Sequence, residues 1–202
     1  INNFPYLKVL AGFNRPVLLS TGASNIMEIK KTIRYLIKKG LKRKNLILLH
    51  CNSAYPTPLK DANLNAINDL RKKFGLKIGF SDHTTQAETS IVAATLGAKI
   101  IEKHFTLNND LKGPDHKASL NPQKFKEMVK GIRIVEKVLG GKKKITKSEK
   151  INQKIIRKSI VAKRKIIKNE RFSEKNLTCK RPGFGISPDY FYSFIGKKSK
   201  RN

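Results

Sequence analysis

One pattern governs what this chain can become: a short apolar run followed by an amphipathic stretch, four times over, at a spacing of about thirty residues. RPVLLSTG at residues 15–22 leads into a segment with Ile26, Ile29, Ile33 and Leu36 at helical spacing. Asn25 and Glu28 suit a helix start, and Gly40 suits its end. NLILLHC then leads into LNAINDLRKKFG, LKIGFSDH into QAETSIVAATLGA, and AKIIEKHF, across a loop, into a stretch with Phe125, Met128, Ile132, Val135 and Leu139 on one face. The runs are apolar throughout, as strands covered on both faces require. The spacing predicts an α/β fold with four strand–helix units on a parallel sheet.

In such sheets and barrels a ligand lies at the C-terminal ends of the strands. The positions to inspect are therefore Ser20, Thr21 and Gly22, residues 50–55, residues 81–84 and residues 102–106. Packing alone does not call for so many polar groups there. His83 and His104 follow neighbouring apolar runs and can approach one divalent cation, with water or substrate oxygens completing its shell. The alternative is that each ring only hydrogen-bonds a backbone carbonyl. Asp115 follows Gly113-Pro114, where a rigid turn can aim a carboxylate at a polyol or simply face solvent. Tyr55 can cover a substrate or pack on Pro56, and Lys103 can pair with Glu102 or meet an anion. His50 and His116 read as structural or substrate-adjacent, and Cys51 as a core residue, without a basic partner to activate it.

Beyond Gly141 the pattern stops. Residues 142–154 are charged, show no core-facing periodicity and read as a linker between a domain at 1–141 and a small β-rich domain at 155–202. A domain that small lies near the lower limit for independent stability. The formal charge of +30, from 44 basic against 14 acidic residues, raises nucleic acid or an anionic membrane as a partner. The lysines are spread over helices and loops, without a nucleic-acid-binding motif, so the charge reads as surface, with an anionic small substrate a further beneficiary. Two distant cysteines make no disulfide framework and fit the cytoplasm. No apolar run has the length of a membrane span, and residues 1–12 are not a signal peptide.

The motifs STGAS, LLHCNSAYPTP, IGFSDHT, IEKHFT, GPDHKAS, RKSIVAKRKI and KRPGFGISP occur in the order and spacing of one family. Through them the chain resembles the N-acetylneuraminate (sialic acid) synthases, which include the legionaminic acid synthases. The resemblance implies the second half of a (β/α)8 TIM barrel followed by an antifreeze-like, or SAF, β-clip domain. It implies a transferase that condenses phosphoenolpyruvate with N-acetylmannosamine or a related aminosugar, adding water and releasing phosphate, to give a nonulosonic acid. By that resemblance His83 and His104 hold Mn2+ or Mg2+, which polarises the sugar aldehyde. Ser20 and Ser81 line the phosphoenolpyruvate side, and Ser53, Tyr55 and the catalytic candidate Asp115 meet the sugar. Arg181 enters a partner subunit's barrel, in a domain-swapped homodimer.

The family's barrel has eight strands and this sequence supplies four. The expected catalytic glutamate and the lysines that grip phosphoenolpyruvate have no counterpart here, and the SAF segment looks clipped. The chain is therefore expected to be a fragment, inactive alone, with the strand in residues 15–22 left as an unpaired edge. The competing reading is a catalytically inactive basic module that holds nucleic acid or an acidic glycan. Another phosphoenolpyruvate-dependent barrel, such as a keto-deoxy sugar-acid phosphate synthase, would share the chemistry but not the KRPG domain.

Overall fold

The computed structural model describes residues 1–13 and 15–202. They form two compact units, Ile1–Gly140 and Gly141–Asn202. The first begins with a helix that the periodicity does not announce, α1 (Phe4–Gly12), whose Asn3 cap accepts a hydrogen bond from the Tyr6 N–H. Leu7 and Ala11 are its buried face. The four apolar runs then become β1 (Val17–Ser20), β2 (Leu46–Cys51), β3 (Lys77–Asp82) and β4 (Ile101–Lys103). They are followed in turn by α2 (Ile26–Lys38), α3 (Ala66–Phe74), α4 (Glu88–Thr95) and α5 (Pro122–Val138).

The strands pair in parallel in the order β1-β2-β3-β4, as in half of a βα barrel, so β1 and β4 are the edges. Leu18, on edge strand β1, is 45% exposed. The helix-facing side carries the core, in which Leu46, Leu48, Ile78 and Phe80 pack with Ile29, Ile33 and Leu36 of α2 and Ile67 and Leu70 of α3. The α2 start is a capping box: the Glu28 N–H donates to Asn25 Oδ1 at 3.0 Å and the Asn25 N–H donates to Glu28 Oε2 at 2.8 Å. The predicted apolar face of α5 is only partly buried. Met128 is covered, whereas Leu139 is 54% exposed, because the sheet stops at β4.

In the second unit the segment expected to be a linker contains a helix, α6 (Lys147–Ile156). Its capping box, Thr146 with Glu149, is present in the sequence as T-x-x-E and outweighs the lack of a buried face. β5 (Ser159–Ala162) and β6 (Leu177–Lys180) form an antiparallel pair, and α7 (Phe191–Phe194) lies near the C-terminal end. Glu170 links several turns here, accepting from Arg164 Nη2 at 2.6 Å, from Asn176 Nδ2 at 3.1 Å and from the Ile167 N–H at 3.2 Å. These donors, the Arg164 side chain foremost, hold its carboxyl down to about 2. No described helix is long and apolar enough to cross a membrane.

Candidate functional site

At the ends of β3 and β4 the tripeptides Ser81-Asp82-His83 and Glu102-Lys103-His104 lie side by side. The register pairs Ser81 with Glu102 and Asp82 with Lys103, which brings His83 next to His104. Successive side chains of a strand point to opposite faces. Serine, glutamate and the two histidines therefore share the inner face, and the aspartate and lysine go to the helix side. Ser81 Oγ donates to Glu102 Oε1 at 2.5 Å. The two imidazoles meet edge to face, with centroids 5.3 Å apart, and the Tyr55 ring lies 4.2 Å from His83 and 5.5 Å from His104.

His83 is held from two sides. Its Nδ1 stands 2.5 Å from the Asn52 carbonyl oxygen, which can only accept, so Nδ1 carries a proton and, when the ring is neutral, Nε2 keeps its lone pair. Ser81 Oγ is 3.2 Å from that Nε2, but its one proton goes to Glu102, so the neutral ring's lone pair has no donor. The His83 carbonyl in turn accepts from the Thr57 N–H at 2.8 Å, pinning the loop that carries Tyr55. One nitrogen of His83 thus bonds a backbone carbonyl, and the other has only the Ser81 hydroxyl beside it. A ring fixed through one nitrogen with the other open is the arrangement of a metal-ligating histidine.

Asp115 is exposed, its Oδ2 4.0 Å from His104 Nδ1. The loop that brings it there is built from within. Asn109 Nδ2 donates to the His116 and Ser119 carbonyls, each at 2.8 Å, and Ser119 Oγ donates to the Asp115 carbonyl at 2.7 Å. The Leu120 N–H closes it onto the His104 carbonyl at 2.9 Å. Among the described residues no group of three His, Cys, Asp or Glu side chains stands together as a closed metal cage. Two imidazoles side by side, His83 and His104, could supply two of a metal's ligands, with substrate oxygens or water as the others.

Of the two alternatives for Lys103 the structure excludes one. The lysine does not pair with Glu102, and the anion it meets is a carboxylate of the chain itself: its Nζ lies 3.1 Å from Asp82 Oδ2, with both side chains almost fully buried. The pleat is the reason, since Glu102 and Lys103 point to opposite faces. Burial pulls the ammonium below the usual lysine range, with the Asp82 charge opposing. Asp82 also accepts from the Thr84 N–H at 2.9 Å, Thr89 Oγ1 at 2.6 Å and Ser90 Oγ at 2.7 Å. Sequence reasoning did not single out Glu102 or Asp82 as site residues. Aligning S-D-H over E-K-H by their histidines would have found both.

Ser20 is exposed at the end of edge strand β1, two strands from His83 and three from His104. Ser53 packs so closely on Gly22 that a Cβ there would overlap its hydroxyl. Arg181 is exposed in the second unit. His50 Nε2 lies 2.8 Å from the Ala62 carbonyl and its ring stacks on Phe80, which makes it structural. Cys51 is half-buried and burial pushes its thiol up, so it remains a poor nucleophile. The cluster that the structure assembles is thus Tyr55, Ser81, His83, Glu102, His104 and Asp115.

The NeuB family matches residues 1–144, and the SAF domain matches residues 157–202. The N,N'-diacetyllegionaminic acid synthase of Campylobacter jejuni is 49% identical over all of this chain, which covers 61% of that protein. Among solved structures, a spore coat polysaccharide biosynthesis protein from Bacillus subtilis superposes with a TM-score of 0.65 at 33% identity, covering 99% of this chain and 62% of that one. An N-acetylneuraminic acid synthetase from Leptospira borgpetersenii, in complex with citrate, gives a TM-score of 0.68 at 36% identity, over 75% of this chain and 52% of that one. The chain spans about three fifths of the length of the curated relatives that match all or nearly all of it.

Proposed function

The chain belongs to the NeuB family, and from that premise we propose that it is part of a synthase joining phosphoenolpyruvate to an N-acetylated aminosugar. In the overall reaction the methylene carbon of phosphoenolpyruvate bonds to the sugar aldehyde carbon, water supplies the oxygen of the new 2-keto group, and phosphate leaves. The product is a nonulosonic acid. The observation that carries the reading is the His83–His104 pair at neighbouring strand ends, one ring fixed through Nδ1 with its Nε2 lone pair free.

A divalent cation held there, manganese or magnesium, would polarise the sugar aldehyde. Other groups of the chain line the two substrates. Asn52 orients the His83 ring. Tyr55, packed against both imidazoles, walls the sugar side together with Ser53. Asp115 is the proposed catalytic carboxylate, accepting a sugar hydroxyl next to His104. Ser81 and Ser20 bound the phosphoenolpyruvate side. We place Arg181 in a partner subunit's barrel, as in a domain-swapped homodimer. We assign the reaction to the cytoplasm, which suits the free thiols Cys51 and Cys179.

The experiment is a chimera joining this chain to the portion of the Campylobacter synthase that it does not cover. Phosphate release from phosphoenolpyruvate is measured with Mn2+, N-acetylmannosamine and a diacetamido hexose. Release that requires the aminosugar is the expected result, and the chain by itself should give none. A folded chimera that releases no phosphate with either sugar overturns the reading.

A further inference from the structure

The Asp82–Lys103 ion pair lies directly behind the two histidines, on the opposite face of the same strand ends. A buried ion pair is a poor source of stability, because desolvation offsets most of its attraction and apolar residues of similar size often serve as well. Its place in the structure suggests another role. β4 has three residues, Ile101–Lys103, and lies at the sheet edge, so few ladder hydrogen bonds fix where its end stands against β3. His104 begins one residue beyond that short ladder.

The pair supplies the missing restraint. Asp82 accepts the Thr84 N–H, and Lys103 Nζ donates to the Thr84 and Gln86 carbonyls. The residues on both sides of His83 are thereby tied to the residue preceding His104. Thr89 and Ser90 of α4 anchor the aspartate from the helix side. We propose that the buried Asp82–Lys103 pair is a positioning device that sets the separation and orientation of the His83 and His104 imidazoles. Neither group touches substrate. The inference rests on the reading of that pair as a metal site.

The test uses the full chain and two readouts. The first needs no metal: 15N shifts of the His83 ring report the Nδ1–H tautomer that the Asn52 carbonyl selects. The second is Mn2+ affinity, followed by the Mn2+ electron paramagnetic resonance signal. Asp82→Asn with Lys103→Met removes both charges together and avoids the unpaired buried ion of either single change. The double variant should lose the single tautomer and bind Mn2+ about 10-fold or more weakly, the scale of an outer-shell change at a metal ligand. A folded double variant with the wild-type tautomer and affinity overturns the proposal.

If the double variant does not fold, Thr89→Val decides, since it keeps the shape of the residue and removes one donor to Asp82. A smaller loss of the same sign supports the proposal, and unchanged values overturn it. Wild-type chain that binds no Mn2+ while the tautomer still responds would sink the metal reading and leave the positioning role standing.

Discussion

The two units bury polar side chains for different reasons. In Ile1–Gly140 a continuous apolar cluster running from Leu7 to Ala93 holds the sheet to its helices, and the buried Ser81, Asp82 and His83 gather beyond it at the strand ends. In Gly141–Asn202, Ile166 and Leu177 are the buried hydrophobic side chains among the described residues, and Asn176, 1% exposed, is the most buried residue. Asn176 receives the Ser173 N–H at 2.8 Å and donates to the Arg171 carbonyl at 2.9 Å and to Glu170. Where apolar burial is ample, polar groups are free to serve chemistry. Where it is scarce, hydrogen bonds and ion pairs carry more of the fold.

Substitutions can break that contrast or sharpen it. The largest loss of stability is expected from Leu48→Ala in the first core, about 2–5 kcal/mol by denaturant unfolding, because the surrounding helices cannot close the cavity. A cost near zero would deny that the apolar cluster is what holds this unit. His83→Ala should weaken Mn2+ binding by at least about 100-fold, beyond the scale of an outer-shell change, while the unfolding midpoint of the first unit moves little. A collapse of the fold would show that the site is part of the core after all.

In the second unit Asn176→Ala should cost about 1–3 kcal/mol through the backbone groups it leaves unpartnered. Faster amide exchange should be confined to Gly141–Asn202, and uniform exchange across the chain would contradict two separate units. The smallest effect is a pH dependence. The Glu170 carboxyl is held at about 2 in the folded unit against an ordinary 4.5, so its contribution is complete above the ordinary value and lost as pH falls toward about 2. Thermal midpoints of wild type and Glu170→Gln should differ at pH 6 and converge near pH 2. A gap that widens on acidification would reverse the sign and refute the assignment.

The four strand–helix units were legible because Ile29, Ile33, Leu36 and their counterparts repeat at the period of the face they bury. α1 was not, since Phe4, Tyr6, Leu7, Val9 and Leu10 leave no single stripe and the helix depends on its Asn3 cap. α6 was missed for a different reason: burial was sought, and the helix is started by Thr146 and Glu149 at its exposed end. At the site, the histidines stood out because they close apolar runs. The partner of Lys103 is not legible, because adjacency in sequence offers Glu102 whereas adjacency across the sheet provides Asp82. Which nitrogen of His83 is free depends on Asn52, 31 residues away, and only the folded loop brings that carbonyl to the ring.

The pairing of Asp82 with Lys103 also lets folding reject a misaligned sheet. Slide β4 by one residue and His104 turns toward α4 while the lysine faces the inner side; slide it by two and the imidazoles part by a full pleat. In either case the aspartate stays buried beneath α4 with its cation displaced, a penalty that the correctly aligned strands avoid. The two charges thus act as a proofreader for their neighbours: the alignment that neutralises them is the one that sets the histidines side by side.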